Sequence, residues 1–268
     1  MKLIAVDLDG TLLNSKNELT DSTKEALIDA RKQDCKVVII SGRDYHACKH
    51  IGKALDFDKL GGLISSSNGA NVYDMKNKKS IINHYLDRDL AQEMIDYGKD
   101  LGLDLIINKD GKILVEKEDT YSLDFLRKKN KMEVELVPDL SKSIDFGVNK
   151  ILFSKAPHIM ETQSKIFIDK YKDLVNPIRS MPQFLDIMPK GINKGRSLLE
   201  IADYYGIDHE DTIAFGDEIN DIEMIKAAGR GIAMGNASEI IKEVADNITL
   251  TNDQDGIAHY IREKIIGQ

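Results

Sequence analysis

Residues 3–8, Leu-Ile-Ala-Val-Asp-Leu, form a short run that stays apolar at successive positions until it meets Asp7. A strand with one wet face alternates apolar and polar residues. A uniformly apolar run is instead covered on both faces, as in a parallel sheet with crossover helices packed against it. An amphipathic segment from about Ser22 to Lys32 follows, with Ser22 and Glu25 spaced as a capping box, and then a second uniform run, KVVII at 36–40. Strand, helix, strand in this order is the βαβ pattern. It resumes near the C-terminus with DTIAFGD at 211–217, a helix to about Ala228, GIAMG at 231–235 and NITLT at 247–251.

Between about Asn83 and Met188 the rhythm changes. LDLIINKDGKILVEK (103–117) reads as two strands about an Asp110-Gly111 turn, and LVNPIRSMPQFLDIM (174–188) as a second pair broken by Pro182. Helical stretches near 88–100, 119–129 and 160–172 separate them. The expected fold class is therefore α/β: a Rossmann-like parallel-sheet core built from residues 1–83 and 189–268, with an antiparallel α+β cap domain, residues 84–188, inserted between its halves. A chain of 268 residues accommodates two such domains. The crossings near Asn83 and near Pro189–Gly191 are candidate hinges.

Composition removes several function classes. With 42% hydrophobic and 31% charged residues the chain is that of a folded globular protein. Its net charge of −8 excludes a broad basic face for nucleic acid, the longest basic cluster being Arg127, Lys128, Lys129 and Lys131. There is no tryptophan for a base-stacking platform. No apolar run approaches the ~18 residues needed to span a bilayer, and the four apolar residues after Lys2 are too few for a signal peptide, so the cytoplasm is the expected compartment and no membrane partner is expected. Cys35 and Cys48 lack metal-ligand spacing and read as small apolar residues.

Four short motifs carry chemistry. In LIAVDLDGTLL (3–13), Asp7 and Asp9 follow a buried strand; in extended geometry residues two apart share a side, and the carboxyl end of the strands is where α/β sheets place ligands. Two adjacent anions there call for a cation, and oxygen donors of this kind suit Mg²⁺. Taken alone, the same residues also read as an Asp-Gly turn with solvated acids; an EF-hand loop fails on the position of Gly10. In KVVIISGR (36–43), Ser41 and Gly42 offer a hydroxyl and a backbone amide to a phosphate oxygen, or simply a helix cap. In PKGINKG (189–195), Lys194 supplies a point charge, or is a solvated loop lysine. In TIAFGDEINDIEMI (212–225), Asp217, Asn220 and Asp221 cluster after another buried strand, as metal and phosphate ligands or as an acidic helix cap.

Together, in the order DxDGT, S, K, GDxxND, the four motifs resemble the haloacid dehalogenase-like phosphatase superfamily. The likeness is to its Cof-type branch (subclass IIB) of sugar-phosphate phosphatases with a large α/β cap of the C2 type. SNGA at 67–70, GNA at 235–237 and NDQDGIA at 252–258 extend the resemblance along the whole chain; serine at 41 stands where threonine is common. The resemblance implies a phosphoric monoester hydrolase acting on a small phosphorylated metabolite with Mg²⁺ as cofactor. It makes Asp7 the nucleophile and Asp9 the general acid/base. Asp7, Asp9 (by side chain or backbone carbonyl) and Asp217 become the metal ligands. Ser41, Gly42, Lys194, Asn220 and the backbone amide of Leu8 become the phosphate site, with Asp221 orienting Lys194 or a metal-bound water. The physical case runs beside it: a carboxylate is already ionised at neutral pH, so as nucleophile it needs relief from repulsion rather than a base.

Other readings stand beside this one. A phosphotransferase or phosphomutase of the same fold would pass the phosphoryl group to a sugar hydroxyl, and a non-catalytic regulator would only bind the phosphometabolite. Arg43 reaches toward substrate or ties down a neighbouring strand end. His46 and His50, four apart on a helix, lack a third ligand. Arg179, Met181 and Phe184 belong equally to a substrate-facing surface or to sheet packing. Neither the substrate nor the oligomeric state is legible.

Overall fold

The computed structural model describes residues 1–267 and forms two compact units. The first takes Met1–Gly42, Cys48–Ile81 and the chain from Asn193 onward; the second takes Arg43–Ala47 and Ile82–Ile192. In chain order the strands are β1 (Lys2–Val6), β2 (Cys35–Ile40), β3 (Leu63–Ser66), β4 (Asn71–Asp74) and β5 (Lys79–Asn83). The insert carries β6 (Asp104–Lys109), β7 (Lys112–Val115), β8 (Glu133–Leu136), β9 (Ile151–Ser154), β10 (Val175–Met181) and β11 (Phe184–Pro189). The last three are β12 (Thr212–Gly216), β13 (Arg230–Ala233) and β14 (Asn247–Ile248).

The first unit is built on one sheet in the order β14-β13-β12-β1-β2-β3-β4-β5. From β14 to β3 every neighbouring pair is parallel, and β4 turns back antiparallel on β3. The uniform apolar runs are accounted for: Leu3–Val6, Val38–Ile40, Ala214 and Phe215 are completely buried, covered on both faces as a parallel sheet requires. From β1 the chain moves outward to β2 and β3, then returns to the other side through β12. The carboxyl ends of β12, β1, β2 and β3 therefore stand side by side at a switch point, the crevice where such sheets bind ligands.

Several local expectations shift. The first helix spans Asp21–Lys32, and its cap is Thr20 rather than Ser22; Thr20 Oγ1 accepts from the amide of Thr23 and donates to Asp255 Oδ1 at 2.5 Å. That partner lies 235 residues away, so local spacing could not show it. NITLT gives only the two-residue β14. β3 to β5 have no counterpart in the apolar rhythm, because buried β3 reads Leu-Ile-Ser-Ser, with Ser65 Oγ satisfied at 2.7 Å by Ser197 Oγ.

The second unit is a six-stranded sheet, β10-β11-β9-β6-β7-β8, mainly antiparallel, with β7 and β8 parallel across the helix Leu123–Asn130. Along β6, β7, β9 and β11 successive apolar side chains alternate between two faces. Leu105, Ile107, Ile151, Phe153, Leu185 and Ile187 pack on the helices Arg88–Asp100 and Pro157–Tyr171, while Ile106, Ile113, Leu152 and Phe184 lie in a second cluster. Ala47 belongs to that second cluster, which explains why Arg43–Ala47 go with the insert rather than with residues 1–83. Among the described residues no helix is long and apolar enough to cross a membrane.

Candidate active site

β1 stops at Val6, and Asp7 is the first residue beyond it, its amide still held by Phe215 O at 3.0 Å. The chain then coils tightly: the amides of Leu12 and Leu13 return to the carbonyls of Asp7 and Leu8 at 3.1 and 2.9 Å, through Gly10 at φ +79°. Glycine is required there on two counts. The left-handed backbone disfavours a side chain, and a Cβ would stand 2.2 Å from Asp217 Oδ2. The turn is clamped from outside, since Asn236 Nδ2 donates to Gly10 O at 2.8 Å and Asn252 Nδ2 to Leu13 O at 2.9 Å. The GNA and NDQDGIA segments thus brace the loop that carries the first two acids.

β12 ends at Gly216 and delivers Asp217 beside Asp7. Asp217 Oδ1 accepts from Thr11 Oγ1 at 2.6 Å. Asp221, one turn on, is fully buried. Its Oδ2 accepts the amides of Asp217 and Glu218 at 3.0 and 3.1 Å, and its Oδ1 lies 2.6 Å from Lys194 Nζ. One Asp221 oxygen thus caps the short turn that carries it, and the other faces the lysine.

Lys194 opens the helix Lys194–Tyr205, whose cap Asn193 accepts from the amide of Arg196. The lysine is 1% exposed and reaches Asp7 Oδ1 at 2.6 Å, so it is a buried ion-pair partner and not a solvated loop residue. Gly195 lets this helix pack closely on the segment after Asp221: a Cβ there would lie 2.3 Å from Glu223 O.

Carboxylate oxygens of Asp7, Asp217 and Asp221 come within 4.8 Å of one another. Asp221 joins Asp7 and Asp217 in this group of side chains, and Asp9 lies near enough for its charge to act on Asp7. Burial, then repulsion from Asp221, pushes the Asp7 carboxyl up to about 7, although Lys194 opposes the shift. Burial, then repulsion from Asp7, pushes Asp217 up to about 8. For Lys194 burial acts downward, but Asp221 and Asp7 outweigh it and hold the ammonium charged.

Ser41, 1% exposed, and Gly42 follow β2. Asn220 is on the short turn before Asp221, and its Nδ2 donates to Asn68 Oδ1 at 3.1 Å. Arg43 is buried in the second unit and donates to Lys129 O at 3.4 Å, at the end of the helix Leu123–Asn130. His46 Nδ1 sits 3.0 Å from Asp44 Oδ1, and among the described residues no His-containing metal cluster forms. Arg179 is committed to the insert, donating to Ser164 Oγ at 2.8 Å and to the carbonyls of Met160, Phe184 and Pro182.

A model of the haloacid dehalogenase-like hydrolases matches residues 4–261. The chain belongs to the haloacid dehalogenase-like hydrolase family. Within it, this hydrolase falls in the Cof-type branch and is 32% identical to a 5-amino-6-(5-phospho-D-ribitylamino)uracil phosphatase of Bacillus subtilis, YcsE, over 99% of this chain and 96% of that one. It is 30% identical to the B. subtilis phosphatase YwpJ, over 98% and 99%. Among solved structures, a haloacid dehalogenase-like hydrolase from Bacteroides thetaiotaomicron is 33% identical with a TM-score of 0.90, each chain covered to 98%. This hydrolase is accordingly a phosphoric monoester hydrolase. Two side chains of its site went unassigned in the sequence. Thr11 lay within the quoted DxDGT, and Asn68 within SNGA, but only the fold shows what they hold.

Proposed function

We propose that this protein is a Mg²⁺-dependent phosphatase that hydrolyses a small phosphorylated metabolite through an aspartyl-phosphate on Asp7. The observation that carries the reading is the buried group of Asp7, Asp217 and Asp221 around Lys194. With all three carboxylates ionised beside one ammonium, the group would carry a net charge of −2, which a divalent cation would balance, and the donors are all hard oxygens of the kind Mg²⁺ takes. The residues present therefore fit the ion. Asp7 and Asp217 would hold it, with Asp9 completing the set by side chain or carbonyl. When bound, Mg²⁺ supplies charge stabilisation to the phosphate and lowers the cost of ionising both acids.

The chain's own residues account for the steps. Ser41, Gly42, Lys194, Asn220 and the amide of Leu8 hold the phosphate oxygens. Asp7 Oδ attacks phosphorus, the ester oxygen departs, and Asp9 gives it a proton. Asp9 then takes a proton from water as the water attacks the aspartyl-phosphate, releasing inorganic phosphate and restoring Asp7. Asp221 fixes Lys194 between itself and Asp7. The relatedness to YcsE, named for a ribityl phosphate, supports a polyol or sugar phosphomonoester as substrate.

A panel of phosphorylated metabolites assayed with Mg²⁺ tests the reading. Asp7→Asn is expected to abolish phosphate release, and Asp9→Asn to slow it by about two to four orders of magnitude. Wild-type turnover of p-nitrophenyl phosphate by Asp7→Asn would refute the mechanism.

A further inference from the structure

The segment after β3 has an unusual backbone. Ser67, Asn68 and Gly69 all have positive φ, at 52°, 55° and 105°. One left-handed residue is common in a turn; two consecutive residues with side chains in that region, both buried, persist only where the surroundings impose them. The surroundings are the phosphate-site elements. Asn68 N donates to Ser41 O, and Ser41 N to Ser65 O, both at 2.9 Å, so the backbone of Ser41 is pinned from both sides by this segment. A Cβ on Gly42 would stand 3.0 Å from Asn68 Oδ1. Gly69 packs so closely on the helix of Lys194 that a Cβ would lie 2.6 Å from Asn193 O. Asn68 Oδ1, 1% exposed as a residue, accepts from Asn220 Nδ2 at 3.1 Å.

We propose that Asn68 is a positioning residue. By accepting one hydrogen of the Asn220 amide it fixes the carboxamide's rotation and so aims the other hydrogen at the phosphate, while its own amide holds Ser41 in register. A carboxamide flips easily between orientations that exchange donor for acceptor. At a phosphate the acceptor face is repulsive, so removing that freedom favours binding. The strained backbone is what brings a side-chain oxygen from the turn after β3 to a residue 152 positions later in the chain. The inference rests on Asn220 being a phosphate ligand.

The test is a double-mutant cycle read by the inhibition constant of inorganic phosphate, with p-nitrophenyl phosphate as substrate and Mg²⁺ saturating. Asn68→Gly is the first variant, because glycine adopts φ 55° without strain; Asn68→Ser is the second, so that one folded protein suffices, folding being checked by thermal melting. Each is expected to weaken phosphate binding about tenfold and to raise KM more than it lowers kcat. In the Asn220→Ala background the same substitution is expected to add almost nothing, since the group it orients is gone. Additive effects, or an unchanged inhibition constant in Asn68→Gly, would overturn the proposal. An Asn220→Ala protein that binds phosphate like wild type would instead overturn the assignment of Asn220 on which it rests.

Discussion

Thr11 Oγ1 stands 2.6 Å from Asp217 Oδ1, a buried hydrogen bond between residues 206 positions apart. It joins the loop after β1 to the loop after β12, so the two acids that flank the proposed ion are set by one contact as well as by their strands. Thr11→Val keeps the shape and removes the donor. It is expected to raise the Mg²⁺ concentration for half-maximal activity about tenfold, the effect of losing one hydrogen bond to a charged acceptor. Calorimetric Mg²⁺ titration of the substrate-free protein checks this independently of turnover.

Lys194 is the buried cation between Asp7 and Asp221. Lys194→Met preserves much of its volume and leaves both acids without their cation. Removing one partner of a buried ion pair costs about 3–5 kcal/mol. Because the lysine counteracts the upward shift of Asp7, the variant's loss of stability is expected to be greater at pH 8 than at pH 5, where Asp7 can protonate instead. Thermal melts at the two pH values measure the difference, and equal losses would contradict it. Phosphate release is expected to fall below detection.

The sequence showed the parallel half of the fold well and the site's internal geometry poorly, for a common reason. β1, β2 and β12 are buried by position in the sheet, and burial on both faces leaves a local mark, an unbroken apolar run. β3 is equally buried but spends two of its four positions on serines, one of them paired with Ser197, so it left no such mark. The acids were legible as residue types at strand ends. Their grouping was not: Asp221 reaches Asp7 and Asp217 only in the fold, and the coil at Gly10 is clamped by Asn236 and Asn252 from far along the chain. Asn68 was visible only as part of SNGA, since its contacts with Ser41, just after β2, and with Asn220, in the loop after β12, exist only in the fold.

Asp104 carries a prediction for the insert. It is 4% exposed, and its carboxylate meets Lys117 Nζ at 2.6 Å, Lys155 Nζ at 3.2 Å and the amide of Tyr121 at 2.9 Å. Burial alone would raise its pKa; Lys117, the Tyr121 amide and Lys155 together outweigh burial and lower it. A carboxylate whose folded pKa is depressed contributes stability above its unfolded value, and that contribution is lost as pH falls through the folded one. Asp104→Asn is therefore expected to lower the melting temperature at pH 7 and to have a diminishing effect below pH 4, approached by melts across that range.

Asp7 and Asp217 act in the opposite direction. Their ordinary value is 3.8, and in the fold they sit at about 7 and about 8 without metal. Between these limits the unfolded chain has released both protons while the folded protein still holds them, so the metal-free protein loses stability as pH rises from about 4 to about 8. Mg²⁺ binding requires both carboxylates ionised and must displace those protons at low pH. The rise in melting temperature on replacing EDTA with MgCl₂ is therefore expected to be larger at pH 8 than at pH 5.5. Calorimetry in buffers of different ionisation enthalpy should register proton release on Mg²⁺ binding at pH 6 that fades by pH 9. A Mg²⁺ stabilisation independent of pH, with no proton released, would mean that these two acids do not hold the ion.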